Sequence, residues 1–191
     1  MATFFAKSID KTLKVCYNGS MDMCNTKTII GNNVLITVAG VKNVPAKVDT
    51  GANSSAIWAS NISVNSDRKL EFTLFAPESE YYTGEKIIAD QFRVRRVRNS
   101  TGDEQLRYRV ELPVVIEGKE MVTGFTLADR SRNSFPILIG RKTLKGEFLV
   151  DVERVAIEPA GLPVKHLNRE LDADPLEFHK KYMKEPKSKA E

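Results

Sequence analysis

The chain has 191 residues, 41% of them hydrophobic and 28% charged, with a formal net charge of +4. That balance fits a globular domain with a real core and excludes a disordered or fibrous chain. No apolar run approaches the roughly eighteen residues a membrane-spanning helix needs, so no membrane partner is expected.

The first residues, Met1 to Lys7, carry no basic segment ahead of an apolar stretch and do not read as a secretory signal peptide. Cys16 and Cys24 allow at most one disulfide and are read as free thiols. Sparse cysteine and no signal point to the cytoplasm. Residues 1–27 read as a polar N-terminal extension with one strand near Leu13–Tyr17.

From Thr28 the pattern changes to short strands. Residues 29–38 read as two strands or one strand broken at Gly31-Asn32-Asn33. Ala39-Gly40 turns the chain into a strand from Val41 to Val48. Residues 53–60 fit either a helical turn or a continuing strand. Leu70 to Phe75 alternates with a period of two, as a half-buried strand does. Residues 76–86 read as loop. The alternation resumes at Phe92 and slips at Arg95-Arg96, which predicts a bulge or a change of sheet face.

Residues 99–103 read as a turn, and Gln105 to Ile116 as the returning strand. Glu117-Gly118-Lys119 predicts a tight hairpin into Met121–Ala128. Phe135 to Ile139 is a continuous apolar run, expected as a strand buried on both faces. Residues 140–146 suit one or two helical turns stopped by Gly146, and Phe148 opens a last strand. Asp174-Pro175-Leu176-Glu177 sets an N-cap, an N1 proline and an N3 glutamate for a terminal helix reaching about Met183. The organisation read from this is an extension (1–27), an all-β domain (28–157), and a C-terminal extension with a short helix and a solvated tail (158–191).

Two motifs carry chemistry. Val48-Asp49-Thr50-Gly51-Ala52 presents an acid, a hydroxyl and a small flexible residue at a strand end. Farther on, Ile137-Leu138-Ile139-Gly140-Arg141 is a buried strand running into a short helix. Together with Val94 to Gly102, Arg107-Tyr108-Arg109, Thr126 to Arg130 and Pro136 to Leu144, they resemble the bacterial retropepsin-like aspartic protease family. That family also carries the label ATP-dependent zinc protease, and one type trims glutamate tails that an ATP-grasp ligase adds to a ribosomal protein.

The resemblance implies an all-β, retropepsin-like acid protease barrel with one short internal helix, plus a C-terminal helix outside the barrel. It implies Asp49, Thr50 and Gly51 as catalytic-loop residues, with the Thr50 hydroxyl bonding across to a partner loop. Ala52, Arg98 and Arg107 are expected at the substrate, and Ile139, Gly140 and Arg141 in support. The chain has one Asp-Thr-Gly, so a two-carboxylate site requires a homodimer, Asp49 meeting Asp49 across a two-fold axis. No cofactor and no metal are expected: no His-Glu-x-x-His occurs, and Gly140-Arg141-Lys142-Thr143 lacks the upstream glycine of a phosphate loop.

Asn53 departs from the pattern, since retroviral members place there an acid that pairs with the helix arginine. Arg141 then needs another acid if it is buried. The flap is expected at the hairpin around Ser100-Thr101-Gly102 in preference to the one around Gly118. The arginines at 93, 95, 96, 98, 107 and 109 form a solvated strand face or, in a sharper reading, clamp the carboxylates of a glutamate-rich peptide. A different class of function is a non-catalytic module of the same fold that docks acidic peptide or nucleic acid through these arginines. Nucleic acid is the weaker partner, because Tyr108 is the one aromatic interleaved with them.

Overall fold

The computed structural model describes residues 12–16, 24–98, 104–157 and 164–182. In chain order the strands are β1 (Thr12–Cys16), β2 (Cys24–Ile30), β3 (Asn33–Val38), β4 (Val41–Val48), β5 (Ser55–Val64) and β6 (Leu70–Leu74). They continue as β7 (Lys86–Ala89), β8 (Arg93–Arg98), β9 (Glu104–Ile116), β10 (Lys119–Ala128), β11 (Ile137–Ile139) and β12 (Phe148–Val150). Helix α1 (Arg141–Leu144) separates the last two strands. The chain divides into two compact units, residues 1–158 and 159–191.

Six strands close into a ring in the order β10-β9-β3-β4-β11-β5, with β5 pairing back onto β10. The closing seam is parallel, Phe125 opposite Ser55 through Ala128 opposite Trp58. A closed ring leaves none of its own strands with an unpaired edge. Period-two patterning fills it: Val34, Ile36 and Val38 are at most 1% exposed, whereas Leu35 between them is 44% exposed. Val44, Ala46, Ile57, Ile137 and Ile139 complete a core of small and branched side chains.

Two hairpins fix the register of this wall. Val38 pairs with Val41 across Ala39-Gly40, and Ile116 pairs with Lys119 across Glu117-Gly118. In each turn both central residues have positive φ, 45° and 85° in the first and 48° and 76° in the second. That is the mirror-image turn whose twist matches two antiparallel strands.

β5 is a strand throughout, which decides the alternative left open for residues 53–60. Its second half leaves the ring and pairs with β6, which pairs with β7. β6 is buried on both faces: Leu70, Phe72, Thr73 and Leu74 are all at most 5% exposed. β9 is similarly shared, since Val110, Leu112, Val114 and Ile116 lie in the core while residues 104–109 pair with β8. Of the two readings of the slip at Arg95-Arg96, the bulge is absent. The register runs unbroken from Arg93 opposite Arg109 to Arg98 opposite Glu104. Arginines stand on both faces of this exposed ribbon, so an interrupted apolar alternation did not signal an extra residue.

β1, β2 and β12 form a separate three-stranded sheet, with β12 parallel to β2. Cys16 and Cys24 are Cα partners across β1 and β2. The second unit holds two helices, α2 (Val164–Ala173) and α3 (Pro175–Tyr182), where the sequence announced one. Asp174 caps α3 as its motif predicts, its Oδ1 accepting from the N–H groups of Leu176 (3.0 Å) and Glu177 (3.0 Å). Glu170 of α2 accepts from the Tyr182 hydroxyl at 2.9 Å and pairs with Lys181 at 3.1 Å, which joins the two helices.

Candidate active site

The Asp49 loop begins where β4 ends, beside β11. β11 runs parallel to β4 with Ile139 opposite Val48, and the Asp49 N–H donates to the Ile139 carbonyl at 2.9 Å. Beyond Asp49 the chain folds back on the carboxylate. Asp49 Oδ1 accepts from the Gly51 N–H at 2.8 Å and from the Ala52 N–H at 3.0 Å. A Cβ on Gly51 would stand 3.2 Å from that oxygen, closer than an unstrained contact, so the small residue suits the tight return. Asp49 itself is half-buried, and Thr50 and Gly51 are exposed at the loop tip.

The Gly-Arg helix holds the loop from below. The Arg141 N–H donates to the Ala52 carbonyl at 2.8 Å and the Lys142 N–H to the Asn53 carbonyl at 3.2 Å. Gly140 permits this approach, because a Cβ there would fall 2.6 Å from the Ser54 carbonyl carbon. Arg141 has an exposed side chain in the single chain, so Asn53 leaves no buried charge unmatched there.

A buried hydroxyl cluster, which the sequence did not announce, ties these parts together. Ser55 Oγ, fully buried, accepts from the Gly140 N–H at 3.0 Å and lies 2.8 Å from Thr143 Oγ1. Thr143 Oγ1 is also 2.8 Å from Thr123 Oγ1, and the Thr126 hydroxyl donates to the Ser55 carbonyl at 3.2 Å. β5, helix α1 and β10 therefore share one polar knot inside the core.

A cleft of about 590 Å³ opens beside the loop. Asp49, Gly51 and Ala52 line it together with Arg96, Arg98, Arg107 and Arg130. Leu138 also lines the cleft, which is why it is half-buried while Ile137 and Ile139 are fully buried. The strand expected to be covered on both faces thus has one face toward this opening. Asp49 is the single carboxylate among the described lining residues.

The four arginines are not equivalent. Arg98 is 2.6 Å from Glu104 and Arg96 is 3.3 Å from the same carboxylate. Arg107 Nε donates to Gln105 Oε1 at 2.8 Å, and Arg130 Nε donates to the Phe135 carbonyl at 3.2 Å. Burial pulls both Arg107 and Arg130 below the usual guanidinium value, and for Arg130 the positive charge of Arg107 adds to the effect. Arg93, Arg95 and Arg109 line a different groove of about 630 Å³. The sequence grouped Arg98 with Arg107 and passed over Arg130, which reaches the cleft from the loop after β10. The expected flap tip, Ser100 to Gly102, lies outside the described residues, and β8 and β9 are the strands that lead to it. Among the described residues no group of three or more His, Cys, Asp or Glu gathers as metal ligands do.

Residues 29–160 match the family model described as RimB-like, retropepsin-like aspartic endopeptidase RimB. Proteins named "Probable alpha-L-glutamate ligase" from Desulfotalea psychrophila and Shewanella pealeana are each 26% identical, over 59% and 68% of this chain. The matched segments make up 25% and 29% of those relatives, so the chain spans little more than a quarter of their length. A crystal structure of a Legionella pneumophila protein of unknown function (DUF785) superposes with a TM-score of 0.51. It is 22% identical and covers 66% of this chain and 95% of that one, a likeness of fold.

Proposed function

This chain belongs to the RimB-like family of retropepsin-like aspartic endopeptidases, and from that premise we propose that two copies combine into one peptidase through their Asp49 carboxylates. The observation that carries the reading is the Asp49 loop itself. One oxygen of the carboxylate is held by two backbone N–H groups at the mouth of a cleft, and no second acid of the described lining accompanies it. An aspartic peptidase, which uses neither metal nor a covalent intermediate, works with two carboxyl groups, one taking a proton from the attacking water and one giving a proton to the substrate. The missing acid is the Asp49 of a second copy, brought close by a two-fold axis.

At about 3 Å separation two carboxylates cannot both ionise, so the pair holds a single proton between them. The ionised member removes a proton from water as that water attacks the scissile carbonyl. The protonated member donates to the carbonyl oxygen; as the C–N bond breaks, the proton taken from water passes to the leaving nitrogen and a hydroxyl of the tetrahedral intermediate returns one to the pair. The N–H groups of Gly51 and Ala52 hold and orient the Asp49 carboxylate, while Ile139, Gly140 and the Arg141 backbone hold the loop still.

Glutamate-rich peptides or tails are the substrate class we favour. Arginines line the cleft, and related segments occur within proteins named glutamate ligases, whose products would carry such chains. The test is Asp49→Asn, which keeps shape and removes the ionisable group. Hydrolysis of a glutamate-rich peptide should fall by roughly 10²–10⁴-fold or to background, with the unfolding curve little changed. Undiminished turnover in that variant ends the proposal. Equal peptide binding by both proteins with cleavage by neither would favour a binding module on the same fold.

A further inference from the structure

The cleft arginines fall into two pairs with different electrostatic states. Arg96 and Arg98 share the single carboxylate of Glu104, so part of their charge is offset, at exposed positions where such pairs are screened. Arg107 and Arg130 are half-buried, and among the described residues neither has an acidic partner. Each is anchored through Nε to a neutral acceptor, Gln105 for one and the Phe135 carbonyl for the other. Anchoring at Nε fixes the guanidinium plane and leaves the terminal nitrogens as donors. Two like charges beside one another in a partly dry cleft repel, and an entering anion removes that cost while satisfying the free donors.

We propose that Arg107 and Arg130 together form the subsite that selects an acidic side chain beside the scissile bond, with Arg96 and Arg98 secondary. This deepens the reading of the cleft as a peptidase site and rests on it for the word scissile. The occupant is a carboxylate on a flexible side chain. A planar fork accepts a carboxylate in two parallel bonds, and Asp49 lies on the same cleft where the backbone of that residue would pass. Arg130 comes from the loop after β10 and Arg107 from β9, so the subsite spans two elements and sets the distance between the recognised side chain and the Asp49 loop.

The experiment compares a glutamate-rich peptide with its glutamine counterpart of equal length. Each is offered to the wild type, Arg107→Gln, Arg130→Gln, Arg130→Lys and Arg98→Gln, with thermal unfolding recorded for all. The readout is the ratio of kcat/KM for the two peptides. We expect Arg107→Gln and Arg130→Gln each to lower that ratio about tenfold or more, as loss of a charge-assisted hydrogen bond does. Arg130→Lys should fall between, because it keeps charge and loses the fork. Arg98→Gln should lower the ratio less than Arg130→Gln. An Arg130→Gln protein that folds and keeps the wild-type ratio overturns the proposal.

Binding to Asp49→Asn protein, followed by fluorescence anisotropy, separates this inference from the peptidase reading. If no variant cleaves, yet Asp49→Asn protein prefers the glutamate peptide and loses that preference on adding Arg130→Gln, the subsite stands and the peptidase reading falls. A short RNA serves as the competing probe. Tighter binding of RNA than of the acidic peptide, lost with Arg130→Gln, overturns the proposal in favour of phosphate recognition.

Discussion

Ser55 is fully buried and its hydroxyl serves the Gly140 N–H on one side and Thr143 on the other. Replacing it with alanine leaves a buried donor without that acceptor, so Ser55→Ala should destabilise the protein by about 1–3 kcal/mol in urea unfolding. Gly140→Ala should cost a comparable amount, roughly 1–3 kcal/mol, by pressing a methyl group into the Ser54 backbone. At this scale the sequence was legible where the chemistry is local. Asp49, Gly51 and Ala52 lie within one turn of chain, and their bonds follow from their order. Ser55 and Arg130 were not legible, because each acquires its role from residues far off in the chain. Ser55 meets Gly140 and Thr143 through the barrel, and Arg130 lines the same cleft as Arg107.

Among the elements, the two mirror-image hairpins were readable from glycine and a short loop, yet they are not equally suited to their turns. Ala39 adopts φ 45° with a Cβ that disfavours this region, whereas asparagine visits it readily. Ala39→Asn should therefore raise stability by about 1 kcal/mol, seen as a higher unfolding midpoint with unchanged denaturant slope. The β8–β9 ribbon shows the opposite case. Its arginines interrupt the apolar alternation without adding a residue, so a pattern reading sees a bulge where the ladder is regular. The helix α2 went unannounced because it lacks the capping sequence that marks α3 so clearly.

For the whole molecule, composition and period-two patterning led to an all-β domain, and the closed six-stranded ring agrees with it. What patterning cannot supply is which strands close the ring, since β5 and β10 are distant in sequence and parallel. The proposed pairing of two copies makes activity depend on concentration. Specific activity should fall on dilution in step with loss of the dimer by sedimentation, and the pH profile of kcat/KM should be bell-shaped. Constant specific activity in a strictly monomeric sample would refute the two-copy site.

The support of Asp49 by Ile139 has a consequence during protein synthesis. The ribosome releases the acid well before it releases the strand whose carbonyl receives the Asp49 N–H, and before the Arg141 N–H that fastens Ala52. An emerging chain thus carries Asp49 on an unbraced loop until the Gly-Arg helix has left the exit tunnel and fastened it.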